Sequence, residues 1–328
     1  MGIRAKLNSD RRYTLGDLID EAKRAGFRPN KALVSRFVTV GLLDRADGTG
    51  PGYKGGVRWT WPQSQRDLLL TLLDKHRTVR SPLSLANIPI AVWLLWGEGW
   101  VPLRQARRAL ETFAEVQKEA PRHDYRRAAL KLVGELAQPR ADFRAKDALV
   151  DTLVHSAQTR QFDAATIGPL LNAVVGGSEP TAQTDGPRTL GILEAQWAAR
   201  SRFHELTDGY FQWARMFALV GQASYARDWR HLASDPRFGQ LNEPFDFEHV
   251  ANSACRDVLF VLGMALVLPR SRELPEALRL GPWLDGRGHV ETDIEVHRTP
   301  LWLPTGHEAG SLGINVRIWI DPVTTEPT

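Results

Sequence analysis

Residues 13–62 read YTLGDLIDEAKRAGFRPNKALVSRFVTVGLLDRADGTGPGYKGGVRWTWP, and the punctuation of this stretch decides how the N-terminal part folds. Thr14 stands where an N-cap belongs and Asp17 follows in the first turn, so a helix starts at Leu15. Leu15, Leu18, Ile19 and Ala22 recur at helical spacing, and Gly26 ends the run. A second helix follows Arg28-Pro29-Asn30, with Leu33, Val34, Phe37 and Val38 as its apolar stripe and Gly41 as its stop. The run Asp47-Gly48-Thr49-Gly50-Pro51-Gly52-Tyr53-Lys54-Gly55-Gly56 holds too much glycine for a helix and reads as a flexible turn. Val57-Arg58-Trp59-Thr60-Trp61 is strand-like, and Pro62, suited to a first helical position, opens a third helix through Leu73.

Charge is concentrated in the same part of the chain. The 328 residues carry a net +4, but residues 1–80 hold sixteen Lys and Arg against eight Asp and Glu, a local +8 on a body of −4. Such an asymmetry puts a polyanion-binding surface at the N-terminal end. A helix that enters a DNA major groove, about 12 Å wide, presents polar side chains near its own N-terminus. Asn30, Lys31, Ser35 and Arg36 lie at that position on the second helix, while Lys54 and Arg58 bracket the glycine turn. Arg11 and Arg12, with Tyr13 and Thr14 beside them, add phosphate contacts ahead of the first helix.

The order helix, turn, helix, glycine-rich wing, short strand, helix resembles the MerR-type winged helix-turn-helix, a fold that related excisionases share. The residues that carry the resemblance are Tyr13-Thr14-Leu15-Gly16-Asp17-Leu18, Val40-Gly41-Leu42-Leu43 and the Gly/Arg wing. It covers roughly residues 12–75, about a fifth of the chain. The resemblance implies a DNA-binding transcriptional regulator that works as a homodimer. Two features depart from the family pattern. An arginine followed by two aromatics is usual in the second helix, where this chain has Ser35, Arg36 and Phe37. A long dimerising helix is usual after the winged domain, where Ser81-Pro82 here interrupts the chain and no heptad run follows.

Beyond residue 80 the pattern is mainly helical, with expected helices at 89–96, 102–119, 124–136, 141–159 and 163–175. Residues 176–189 have a linker composition and predict a mobile loop. Helices resume at 190–222, 225–233 and 247–268. Trp197, Tyr210, Trp213 and Phe217, with Arg200 nearby, are candidates for a pocket that takes a planar or anionic small-molecule effector. Near the C-terminus the period changes to two, around Ile294 and Val296 and again over 312–320, which predicts an antiparallel hairpin.

Other chemistry is thinly supported. The glycine run lacks the Gly-Lys-Ser/Thr ending of a phosphate loop, and His204-Glu205 lacks the second histidine of a zinc protease. Glu291, Asp293, Glu295 and His297 share a strand face, and His307-Glu308 is a loop pair, but a solvated surface explains both, so no metal is expected. The single cysteine, Cys255, lies in an apolar helix and excludes an internal disulfide. No cofactor motif and no catalytic set emerge, so an enzyme is not expected. No unbroken apolar run approaches membrane-spanning length and the first ten residues are polar, which predicts a cytoplasmic protein.

The expected architecture is therefore mainly α: a winged helix-turn-helix over 1–80, a helical domain over 81–175, a linker, and a helical domain with a small antiparallel β-hairpin over 190–328. The expected function is sequence-specific binding of double-stranded DNA to control transcription. An excisionase-like or architectural factor for recombination, replication or segregation is the alternative. A helical enzyme or interaction scaffold tethered by the winged domain ranks third.

Overall fold

The computed structural model describes residues 11–49, 58–79, 85–114, 122–137, 141–159, 161–175, 193–233, 247–267, 279–295 and 313–321. It is mainly helical, with a small antiparallel two-stranded sheet near the C-terminus. Two compact units are formed, one from residues 1–113, 215–255 and 288–328, the other from 114–214 and 256–287.

The first unit opens with β1 (Arg12–Tyr13) and α1 (Leu15–Arg24). A complete capping box starts α1: the Asp17 amide donates to Thr14 Oγ1 at 3.2 Å, and the Thr14 amide donates to Asp17 Oδ2 at 2.8 Å. Gly26 takes a positive φ of 84° beyond its end. Helix α2 (Lys31–Thr39) is capped by Asn30, whose Oδ1 accepts from the Leu33 amide at 2.8 Å. Strands β2 (Asp47–Thr49) and β3 (Arg58–Pro62) pair antiparallel, and β1 adds to the other edge of β3, giving the order β1-β3-β2. Pro62 ends β3 and caps α3 (Gln63–His76), so the helix begins one residue later and runs one turn longer than its sequence suggests.

Two more helices complete this core. Helix α4 (Asn87–Trp96) is buried almost all round, as a helix apolar on every face must be. Helix α5 (Leu103–Ala114) packs onto the turn after α2. Gly41 has a φ of 78°, and a Cβ there would stand 2.5 Å from the Ala109 amide nitrogen. Only glycine permits both that backbone angle and that approach. Links from residues 100–112 back to residues 40–47 and 65 therefore cross the boundary expected at residue 80.

Later segments join the same unit. Buried Arg215 donates from Nε to the carbonyls of Trp93 and Leu94, both at 3.0 Å, at the C-terminal end of α4. It also reaches the carbonyl of Val290 and the hydroxyl of Thr292 on β4 (Gly288–Glu295). Strand β5 (Gly313–Ile320) pairs with β4 in the register Gly288↔Ile320 to Glu295↔Gly313, so β4 begins earlier than the alternation around Ile294 indicates.

The second unit holds α6 (Arg122–Leu136), α7 (Phe143–Thr159), α8 (Ala164–Val175) and a helix over 193–201, here α9. Their core is Leu132, Leu149, Leu153, Ile167, Leu171 and Trp197 with smaller neighbours. The single helix expected over 190–222 is corrected in two ways. It breaks at a short 3-10 turn, Phe203–Glu205, before α10 (Asp208–Ala233), and α10 then runs through the break expected at 223–224. Phe203 and Leu206 are both buried at this break, with the Phe203 ring edge-on to Phe211 at 5.7 Å. No residue between Gln222 and Tyr225 obliges a helix to stop. A short α12 (Leu280–Leu284) was not anticipated.

Helix α11 (Phe247–Val267) alters one expectation. Its stretch Val250–Val267 is long and apolar enough to cross a membrane, with a mean hydropathy of 1.6 despite Asn252, Ser253, Arg256 and Asp257. It is 44% buried inside the protein, and at Gly263 it presses against the Ala195 backbone. A core helix of this kind passes the same test of length and composition. The linker over 176–189 lies outside the described residues.

Gly41→Ala should cost about 4 kcal/mol, because strain and a backbone collision coincide, whereas Gly26→Ala, with open space around it, should cost about 1 kcal/mol. Chemical denaturation of the two full-length variants measures both; equal losses would show that α5 does not approach Gly41 so closely.

Candidate nucleic-acid interface

The surface of α2 divides sharply. Val34 and Phe37 are buried, with Phe37 edge-on to the His76 ring at 5.9 Å, and Leu33 and Val38 are half-buried. Lys31, Ala32, Ser35, Arg36 and Thr39 are exposed, at spacings that place them on one stripe of the helix. Thr39 Oγ1 donates to the Ser35 carbonyl at 3.0 Å, and Ser35 itself is exposed. Ala32 keeps the middle of the stripe shallow.

The cations near α2 are not equivalent. Arg12 donates to Asp47 Oδ2 at 3.0 Å, and Arg11 lies 3.8 Å from Glu21 with its guanidinium 5.0 Å over the Tyr13 ring. Among the described residues Arg28, Lys31, Arg36 and Arg45 are exposed and make no ion pair. Arg58 is also exposed, on β3. Lys54 lies outside the described residues.

Three of the expected contact residues have structural tasks instead. Tyr13 is only 3% exposed and belongs to the core. Thr14 commits its hydroxyl to Asp17, and hydrogen bonding by Thr14 holds the Asp17 carboxyl below its usual range. Asn30 spends its carbonyl oxygen on the α2 cap, so only its amide NH₂ stays available to a partner. The stripe is thus supplied by Lys31, Ser35 and Arg36 from the expected set, joined by Ala32 and Thr39. Thr39 continues the Lys31–Ser35 spacing and was readable from helical periodicity.

Behind this surface a buried amide network fixes its parts. Gln65 accepts from the Asp44 amide and donates to Gln105 Oε1, each at 2.8 Å, and Gln105 donates to the Leu42 carbonyl at 2.9 Å. The Trp61 indole donates to the Asp44 carbonyl at 2.9 Å. Arg104 grips the Asp44 carboxylate through Nε and Nη2 and reaches Asp47 at 3.1 Å. Burial works to raise the Asp47 carboxyl, but the hydrogen bonds from Arg12 and Arg104 outweigh it and the net shift is downward. Sequence reading missed Gln65, Gln105 and Arg104, which carry no local signal.

Of the five residues expected to line an effector pocket, the structure brings two together. Trp197 and Arg200 border a cavity of about 40 Å³ with Tyr125, Leu132, Leu153 and Ser201. Tyr210 and Trp213 do not line it, and Phe217 falls in the other unit. A cavity that holds benzene is roughly 150 Å³, so this one suits water-sized groups. On the C-terminal hairpin Glu291 faces Arg317 in register; His297 lies outside the described residues, as does His307-Glu308. No group of three or more potential metal ligands gathers among the described residues. Cys255 is buried in α11.

Compared with known proteins, the chain matches no protein-family model, no curated protein and no solved structure.

A carboxylate holds α1 to α3. Arg66 Nη2 donates to Glu21 Oε2 at 2.7 Å, Arg24 bonds the other oxygen, and these bonds, Arg66 first, hold Glu21 below its ordinary 4.5 against the effect of burial. The fold therefore favours the ionised form. Its contribution is full above the unfolded value and disappears as pH falls through the lower folded one. Glu21→Gln should lose about 1–2 kcal/mol near neutrality, and its deficit should shrink as pH falls below 4.5. Unfolding curves of both proteins across that range test this; a deficit constant with pH would refute the linkage.

Proposed function

We propose that this chain binds double-stranded DNA by laying α2 in a major groove, with the β2–β3 hairpin as a wing on the flanking backbone, and that it controls transcription in this way. The observation that carries the reading is the α2 stripe Lys31, Ala32, Ser35, Arg36 and Thr39, outward on a helix whose other face is anchored by Val34 and Phe37. Its cations make no ion pair among the described residues, so phosphate or base edges meet no competing carboxylate. The shallow centre at Ala32 favours close approach of the helix axis, and the hydroxyl at Ser35 suits either bases or phosphates. The resemblance to MerR-type regulators supports the same assignment. A homodimer would set two such helices about one duplex turn apart, near 34 Å.

An excisionase-like or architectural factor uses the same surface, so location separates the two. Binding at promoters supports regulation, and clustered sites at an attachment site or origin support the alternative.

In gel-shift titrations of the full chain against a pool of duplexes, affinity should fall steeply with salt. Lys31→Ala with Arg36→Ala should weaken binding at least about thirtyfold and reduce the slope of log K against log salt by about two. An affinity for duplex that ignores salt, or that survives both substitutions unchanged, would sink the proposal.

A further inference from the structure

Trp59 is a large apolar side chain left in the open. It is 60% exposed, whereas Trp61, two residues on and on the same face of β3, is 7% exposed and anchored to the Asp44 carbonyl. The face that enters the core at Trp61 thus emerges at Trp59. Its partner across the β2–β3 ladder is Gly48, which has no side chain to cover the indole. The preceding residue, Arg58, is exposed too. The strand itself is held firmly, with β1 and β2 on its two edges and Arg12 and Arg104 both bonded to Asp47 at the base of the hairpin. An indole in water forfeits much of what its burial would contribute to stability. Among the described residues of this hairpin, the cross-strand partner leaves the indole uncovered.

Resting on the DNA-binding reading, we infer that Trp59 is the apolar contact of the wing, packing its ring on the deoxyriboses that border the minor groove beside the one α2 enters. The chemistry fits that wall. Deoxyribose is apolar, the neighbouring phosphate accepts a hydrogen bond, and an indole offers a flat apolar body with one N–H donor. Exposed Arg58, the residue before Trp59, puts a cation beside the indole, and the exposed cations Arg28, Lys31, Arg36 and Arg45 add to the positive charge of the same unit. Aromatic and apolar side chains placed at a minor groove contribute through contact and partial unstacking, without neutralising phosphate.

That distinction supplies the test. Trp59→Ala and Trp59→Phe are compared with Arg58→Ala in the full chain, by duplex affinity at several salt concentrations and by sedimentation. Trp59→Ala should weaken every duplex about tenfold with the salt slope unchanged. Trp59→Phe should recover most of that loss, and Arg58→Ala should lower the slope by about one. The thermal midpoint of Trp59→Ala should stay at the wild-type value, since the side chain packs little. Wild-type binding retained within twofold by Trp59→Ala overturns the inference and leaves the DNA reading standing. A loss of affinity that accompanies dissociation into monomers also overturns it, by making Trp59 a contact between two copies. No binding of any duplex by the wild type removes both.

Discussion

Position in this N-terminal unit is set by how closely α5 comes to the turn that follows α2. At Gly41 the two backbones are too near for any side chain, and the contact is sealed by buried amides: Gln105 on the Leu42 carbonyl, Gln65 on the Asp44 amide, the two glutamines on each other. A net contribution of about 1 kcal/mol per hydrogen bond is modest, but a buried amide left unpaired costs about 1–3 kcal/mol. Sliding α2 relative to α5 would strand several at once. The Arg104 clamp on Asp44 and Asp47 is more visible and weaker, because its side chain is 61% exposed and water screens it. The buried amides, and not the ion pair, fix where the helix ends and the hairpin begins.

A buried cation plays a comparable part further along. Arg215 lies against the C-terminal carbonyls of α4, where the helix dipole is negative, and burial lowers its guanidinium to about 10 with Glu98 opposing that shift. The carbonyl of Val290 and hydroxyl of Thr292 complete its shell. The hairpin of β4 and β5 is thereby joined to a helix nearly two hundred residues earlier, since Thr292 also donates to the Leu95 carbonyl. One guanidinium supplies both the helix cap and the strand anchor.

The parts of this architecture that were legible in the sequence are those written locally. Thr14 and Asn30 announce helix starts, Gly26 and Gly41 announce ends, and period-two alternation announces β5. Each depends on residues within one turn of one another. Gln65, Gln105 and Arg104 stayed invisible because their partners lie 21 to 63 residues away, and an isolated Gln or Arg on an amphipathic helix looks solvated. The break at Phe203–Glu205 was hidden for a different reason: no proline or glycine lies within it, and helix-forming sequence continues on both sides. The candidate interface was half legible. The exposure of Lys31, Ser35 and Arg36 followed from helical phase, while the burial of Tyr13 depends on partners distant in sequence and Asn30 gives its carbonyl oxygen to the helix cap.

The distribution of ion pairs argues about the surface in a way that net charge does not. Arg12, Arg24, Arg66 and Arg104 all meet carboxylates, and every acidic residue they use lies on α1, the hairpin base or α3. Around α2 the helix offers none, because Lys31–Thr39 contains no Asp or Glu. Pairing those exposed cations would add little stability, about 0–1 kcal/mol each, so the fold loses almost nothing by leaving them solvated. A polyanion that displaces its own counterions gains far more from an unneutralised stripe than from one already satisfied by carboxylates. Such an arrangement costs the folded state little and would leave its electrostatic interaction energy to a complex, which is the physical ground for proposing α2, and not the more numerous paired arginines, as the contact helix.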